Sequence, residues 1–152
     1  LGAHFLSRGR RADGERYLQH AAASGDRETA LALAELYESD GRAADALALL
    51  DKLADTPPGS VSLRRAEIEF RQGQRDAAMA RVERLLNANP KHAGALEAKA
   101  GFQLGMGKGQ DGMRTARLAV DTAPTSAQAH YLLGQGLVAD GRPDEAFAEF
   151  SE

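Results

Sequence analysis

The sequence predicts an all-α solenoid of antiparallel helix pairs, and three observations carry that prediction. Gly9, Gly41, Gly73, Gly107 and Gly141 recur at intervals of 32, 32, 34 and 34 residues. A very small residue lies seven positions before each (Gly2, Ala34, Ala66, Ala100, Gly134) and another five after (Gly14, Ala46, Ala78, Gly112, Ala146). Pro58, Pro90 and Pro124 stand seventeen positions after the three middle glycines, with Asp26 in the matching place of the first unit. A fixed period of this size marks stacked repeats, in which each unit buries its apolar face only against its neighbours.

Each part of the unit has a physical reason. Apolar residues nine positions after the glycine (Leu18, Leu50, Val82, Ala116, Phe150) and twelve after (Ala21, Leu53, Leu85, Ala119) continue a helical rather than an alternating period. The glycine falls between two such stretches, where a helix C-terminus calls for a left-handed residue. A cation follows most of these glycines (Arg10, Arg42, Lys108, Arg142), a favourable place at the carboxyl end of a helix. The proline cannot continue the second helix and sets its end. The two small residues let the paired backbones approach. The units then run 1–26 (partial), 27–58, 59–92, 93–126 and 127–152 (partial), as one solenoid over 1–152.

The pattern resembles the tetratricopeptide repeat family over essentially the whole chain. The second unit carries Leu33, Ala34, Tyr37, Gly41, Ala46, Leu50, Leu53 and Pro58; the fifth carries Leu133, Gly134, Leu137, Gly141, Ala146 and Phe150. The stretch 21–30 is also similar to the Sel1-like repeats, which share the helix-pair architecture. The resemblance implies a right-handed α-α superhelix and a non-enzymatic protein-interaction scaffold. It also implies an inner groove lined by first helices, where a partner protein or peptide docks. Mapped onto this chain, that face comprises Glu28, Leu31, Glu35 and Glu38 in the second unit, and Leu63, Glu67 and Phe70 in the third. It continues with Glu97 and Leu104 in the fourth and Tyr131, Gln135 and Val138 in the fifth. The groove is acidic with apolar patches, so a partner segment with basic and aliphatic side chains is expected. Family members that clamp a carboxylate use Lys, Arg and Asn there, a set this chain lacks. Two other settings are compatible. One is a periplasmic scaffold segment of a bacterial envelope machine, such as exopolysaccharide export or a protease adaptor; the other is a regulatory arm of a larger enzyme.

Composition bounds the rest. The 152 residues are 43% hydrophobic and 27% charged, with a formal net charge of −3, a globular rather than disordered or membrane-spanning profile. With zero cysteines, disulfides and thiolate metal sites are excluded, and cytoplasm and periplasm both remain compatible. Arginine outnumbers the four lysines, and with abundant alanine and glycine this points to a GC-rich bacterial coding sequence. Leu1 and Gly2 occupy a mid-helix landmark and Glu152 falls inside a helix. Neither end shows a polar cap, so the chain is expected to be a piece of a longer array, with self-association through the uncapped ends as the alternative.

Candidate chemistry does not converge. The glycine-rich stretch 105–110, with Gly107 and Lys108, superficially matches a phosphate loop, but Phe102 stands where its first glycine belongs and Gly109 where its hydroxyl belongs, and no strand precedes it. His4, His20, His92 and His130 lie in separate units without partners at ligand spacing, which argues against a metal site and makes His130 a packing residue. The serines fall at helix starts, as caps rather than nucleophiles. Arg10, Arg11, Arg42, Arg75, Lys108 and Arg142 could line one edge. The negative net charge and scarcity of aromatics argue against nucleic acid, and read these as solvated turn residues. No cofactor is expected.

Two departures from the pattern stand out. Arg65 with Glu69, and Lys99 with Gln103, replace the apolar pair Leu33 and Tyr37, while Ile68, Phe70, Phe102 and Leu104 supply bulk one residue to either side. This fits either a rotated first helix with an ordinary core or a polar seam inside the superhelix. The fourth unit carries Gly94, Gly101, Gly105, Gly107, Gly109 and Gly112, more than its turn demands. Helix-interior glycines cost roughly 0.5–1 kcal/mol each, so residues 94–112 are expected to be the softest part of the array.

Overall fold

The computed structural model describes residues 11–53 and 59–151. Among these, nine helices and no strand are present. The sequence landmarks at Leu1, Gly2, Gly9 and Pro58, together with Arg10 and His4, lie outside the described residues. The chain divides into two compact units, Leu1–Val61 and Ser62–Glu152.

The first unit holds α1 (Arg11–Ala23), α2 (Arg27–Ser39) and α3 (Ala43–Leu50), with each helix packed on the next. Asp26 caps α2, accepting from the Thr29 amide at 3.5 Å and from the Thr29 hydroxyl. Ala34 and Ala46 are fully buried at the α2–α3 crossing, beside Leu33 and Leu50. Arg42 follows the turn glycine and donates to Glu15 and Asp45, 2.7 Å each, while its guanidinium lies 4.2 Å from the centre of the Tyr37 ring. Those two carboxylates, Glu15 first, hold its pKa above the usual arginine range.

The helix α4 (Ser60–Arg71) crosses from the first unit into the second, which continues with α5 (Arg75–Ala88), α6 (Ala93–Gly105), α7 (Gly109–Thr122), α8 (Ala127–Ala139) and α9 (Pro143–Glu149). Neighbouring helices from α5 to α9 pack in chain order, and α6 also touches α8, so a first helix lies against the next first helix. α5 and α7 end two residues before Pro90 and Pro124, as the ring's missing N–H and fixed φ require. Side-chain caps start α6 and α8: His92 Nδ1 accepts from the Ala95 amide at 3.3 Å, and Ser126 Oγ from the Ala129 amide at 3.2 Å. His92 is therefore a helix cap, a role its sequence position alone did not disclose.

The intra-pair turns share one geometry. Gly107 adopts φ +76°, its N–H bonds Leu104 O at 2.9 Å, and the Lys108 N–H reaches back to Gln103 O at 2.9 Å. This is the Schellman pattern, repeated around Gly41, Gly73 and Gly141. The cation after the glycine opens the next helix without a side-chain cap. The two arginines serve instead in ion pairs, Arg42 as above and Arg142 with Glu145 at 2.6 Å and Asp140 at 3.7 Å. Glu145 holds the Arg142 pKa up, and Arg142 in turn holds the exposed Glu145 below the usual carboxylate range.

Small residues build the cores of the second unit. Ala66, Ala78 and Ala95 are fully buried with Val82 and Phe102, and Ala100 and Ala116 pack with Leu132, Leu133, Leu137 and Ala146. Gly112 lies where a Cβ would come within 2.6 Å of Leu104 Cγ and 3.1 Å of its amide nitrogen, so α6 and α7 touch along their backbones. Gly136 does the same for α7 and α8, 2.8 Å from Met113 Cβ.

Candidate functional site

Two of the polar substitutions on α4 and α6, Glu69 and Gln103, resolve into clamps between the two helices of a pair. Glu69 is 5% exposed, and Arg81 on α5 donates to both its oxygens, at 2.6 and 3.0 Å. Arg65 stands 4.0 Å from the same carboxylate. Burial first, then the Arg81 charge, lowers the Arg65 pKa, with Glu69 opposing. Gln103 on α6 accepts from Thr115 Oγ1 on α7 at 2.7 Å, one pair later and at the same spacing of twelve residues. Lys99 reaches back to Glu83 of the preceding helix at 3.6 Å. The Glu69–Arg81 and Gln103–Thr115 contacts are thus internal to their pairs, while Lys99–Glu83 ties one pair to the next.

The face expected to receive a partner is therefore divided. In the first unit, Glu28 and Glu35 are exposed on α2, with Leu31 and Glu38 half-buried beside them. In the second, Phe70 stacks on Phe102 with ring centres 4.3 Å apart, and it and Leu63 pack against the α4–α6 core. Glu67 pairs with Arg64 at 3.3 Å, and Glu97 accepts from Ser126 Oγ at 2.5 Å. Tyr131, Gln135 and Val138 are exposed on α8, with the Gln135 amide donating to the Tyr131 hydroxyl at 3.0 Å. On α4 and α6 the acidic groups are thus already engaged, and the surface there is more apolar than the residue types alone indicate.

Between α6 and α8 lies a cleft of about 430 Å³, lined by Gly101, Leu104, Gly105, Gly107, Gly109, Gln135 and Ala139. Leu104 and Gln135 are the two residues of the expected groove that meet there. The glycines explain the opening. A Cβ at Gly101 would sit 3.6 Å from Leu132 and one at Gly109 3.7 Å from Ala139, ordinary contacts that leave the space above them unfilled. At Gly105 the constraint is tighter, with the Phe70 ring 3.2 Å away. The glycine wall was visible in the sequence as excess glycine: Gly101 and Gly105, four apart, share one face of α6, and Gly107 and Gly109 bring the turn and the start of α7 alongside. Among the described residues no group of three or more His, Asp or Glu side chains could hold a metal, and no helix is long and apolar enough to cross a membrane.

Helix pairs joined by Schellman turns and crossing on buried small residues define an all-α helical-repeat protein. Residues 1–61 match the family model described as tetratricopeptide repeat. No curated protein sequence matches the chain. Among solved structures, the fold is similar to a crystal structure of MamA at 21% identity and TM-score 0.66, covering 99% of this chain and 91% of that one. MamA from Desulfovibrio magneticus superposes with TM-score 0.65 at 23% identity, covering 99% and 87%. A tetratricopeptide repeat protein from Parabacteroides merdae gives 0.66 at 17% identity, covering 99% and 61%. At these identities the likeness is one of fold.

Proposed function

We propose that the chain is a non-enzymatic protein-interaction scaffold that binds a segment of a partner protein along the faces of its first helices. The observation that carries this reading is the glycine-walled cleft between α6 and α8. Its volume of about 430 Å³ accommodates a large aliphatic or aromatic side chain, and the Gln135 side-chain amide at its edge offers hydrogen bonds to an incoming segment. A concave, largely apolar recess with a few polar groups is the usual form of a recognition pocket. Basic residues in the partner suit Glu28 and Glu35 on α2, where the carboxylates are exposed; there they raise the association rate more than the affinity.

The test is selection of displayed random peptides on the wild-type chain and on Gly101→Leu, which fills the cleft from a helix position with room at its Cβ. Peptides carrying a bulky apolar residue should be enriched on the wild type and lost on the variant, with thermal stability retained. Equal enrichment on both removes the cleft from the binding surface.

A further inference from the structure

The position eight residues after the turn glycine carries a polar clamp in the third, fourth and fifth sequence units. Arg81 holds Glu69 in the third, and Thr115 holds Gln103 in the fourth. The fifth places Glu149 there, and its partner is His130 on α8, with Glu149 Oε2 2.7 Å from the ring Nδ1. The other ring nitrogen, Nε2, lies 3.0 Å from Pro124 O in the loop before α8. His130 is 9% exposed, so these two contacts rather than water satisfy its ring nitrogens. The ring thus joins α9, α8 and the loop that leads into α8, which is more than the packing role its spacing indicates. Beside it, Phe150 closes on Gly134 so tightly that no Cβ fits between them.

A carbonyl oxygen only accepts, so Nε2 carries a proton. A neutral imidazole has no second one, and its Nδ1 would then turn a lone pair toward a carboxylate oxygen 2.7 Å away. The pair therefore holds one proton more than a neutral ring beside a carboxylate. We propose that this proton is a latch, fastening α9 to α8 and to the loop before it, and that its loss as pH rises loosens α9. An arginine–carboxylate pair and an amide–hydroxyl pair keep their charge near neutral pH, whereas a histidine does not, so this clamp alone of the three is a switch. Burial disfavours a cation, but the contacting carboxylate and two bonded N–H groups favour it, and the neutral alternative leaves a bare nitrogen against an anion. The charges around α8 act in the same direction. α8 itself carries no Asp, Glu, Lys or Arg, and α9 brings only the acids Asp144, Glu145 and Glu149. From α6, Glu97 accepts from Ser126 and Lys99 reaches Glu83. From α7, Arg114 is held by Asp111, Arg117 acts on Glu145, and Asp121 is a further acid. The stabilisation is therefore complete below the ordinary histidine value of about 6.5 and is lost as pH rises through the higher value of the folded chain.

The test is an NMR titration of the isotope-labelled chain that follows the imidazole nitrogens of His130, assigned by their loss in His130→Gln. Their midpoint is expected about one pH unit or more above the ordinary histidine value. Over the same range the protection factor of the Phe150 amide, which bonds Ala146 O at 3.1 Å, should fall about tenfold, the change that one such unit supports. Glu149→Gln separates a latch from a contact that is merely structural. Its side-chain amide can donate to a bare Nδ1, so the neutral ring is satisfied at every pH. His130 should then titrate lower, and the Phe150 protection factor should stay flat. A His130 midpoint at or below the ordinary value overturns the proposal. So does a wild-type protection factor that is flat between about pH 6 and about pH 9, or an unchanged pH dependence in Glu149→Gln. If that variant loses the wild-type circular dichroism, the wild-type midpoint and protection factors decide alone.

Discussion

Replacing Glu69 with leucine isolates the clamp between α4 and α5. The carboxylate is 5% exposed and accepts two bonds from Arg81, whose side chain is 19% exposed, with Arg65 23% exposed and 4.0 Å away. Without it, two half-buried guanidiniums face one another with no anion between them. Breaking a fully buried pair costs about 3–5 kcal/mol, and partial access of Arg81 to water reduces this to about 2–3 kcal/mol. The second sequence unit supplies the control, because Tyr37 and Leu49 occupy the positions that Glu69 and Arg81 hold. The double variant Glu69→Tyr/Arg81→Leu should recover to within about 1 kcal/mol of wild type, since well-packed apolar replacements of buried ion pairs are often neutral. Urea unfolding followed by circular dichroism gives the midpoints, with unchanged m-values as the condition for comparing them. A cost below about 0.5 kcal/mol for Glu69→Leu, or a double variant as unstable as the sum of the singles, refutes the clamp.

Gly112→Ala should lower stability by about 1 kcal/mol: overpacking against Leu104, 2.6 Å from the new Cβ, exceeds the gain in helix propensity, and a raised melting temperature would contradict it. Gly101→Ala, with 3.6 Å to Leu132, should instead stabilise by about 0.5–1 kcal/mol and slow amide exchange in α6; unchanged exchange would show that this glycine does not soften the helix. Ser126→Ala removes both the cap of α8 and the bond to Glu97, and thermal melts should show a loss of about 1 kcal/mol. Asp26, capping α2, has its pKa lowered first by the Thr29 hydroxyl. A folded pKa below the unfolded one means that its stabilisation is present above the ordinary aspartate value and is lost as pH falls through the lowered one. Protection factors at the start of α2, which divide out the intrinsic pH dependence of amide exchange, should therefore fall in acid for the wild type and stay flat with pH for Asp26→Asn.

The repeat was legible because its determinants are local. A left-handed residue is required at each Schellman turn, a proline follows the second helices α5 and α7, and a small residue is needed wherever backbones cross; each demand restricts residue type at a fixed spacing. What could not be read was the partner of each polar side chain. Glu69 looks like half of an i, i+4 pair with Arg65, yet Arg81, twelve residues on, forms the shorter contact, because the pair's second helix brings it alongside. Glu97 reads as a free groove charge, although the next pair places Ser126 against it. Phe70 and Leu63 read as groove residues, yet the neighbouring helix packs on both. Spacing within one helix fixes which residues share a face. Which of them a neighbouring helix covers depends on contacts between units that no single period encodes.

The six glycines at residues 94–112 show how one composition serves opposite ends. Gly94, Gly105 and Gly112 have a neighbour at 3.2 Å or closer to their Cβ positions, so alanine there would strain the packing and glycine is the better-fitting residue. Gly107 is held at φ +76° by the turn. Gly101 and Gly109 have ordinary room, and no packing or backbone demand accounts for them. Alanine at Gly101 would favour the helix by roughly 0.5–1 kcal/mol, and a first helix without this cost is available in the same array, since α4 contains no glycine. Both glycines line the α6–α8 cleft, and a side chain at either would narrow it. A destabilising residue with no structural demand, placed where its absent side chain leaves an opening, is the pattern expected when a binding surface is retained at the expense of stability. The cleft is therefore a stronger candidate for the partner's seat than the charged positions that first drew attention on the same helices.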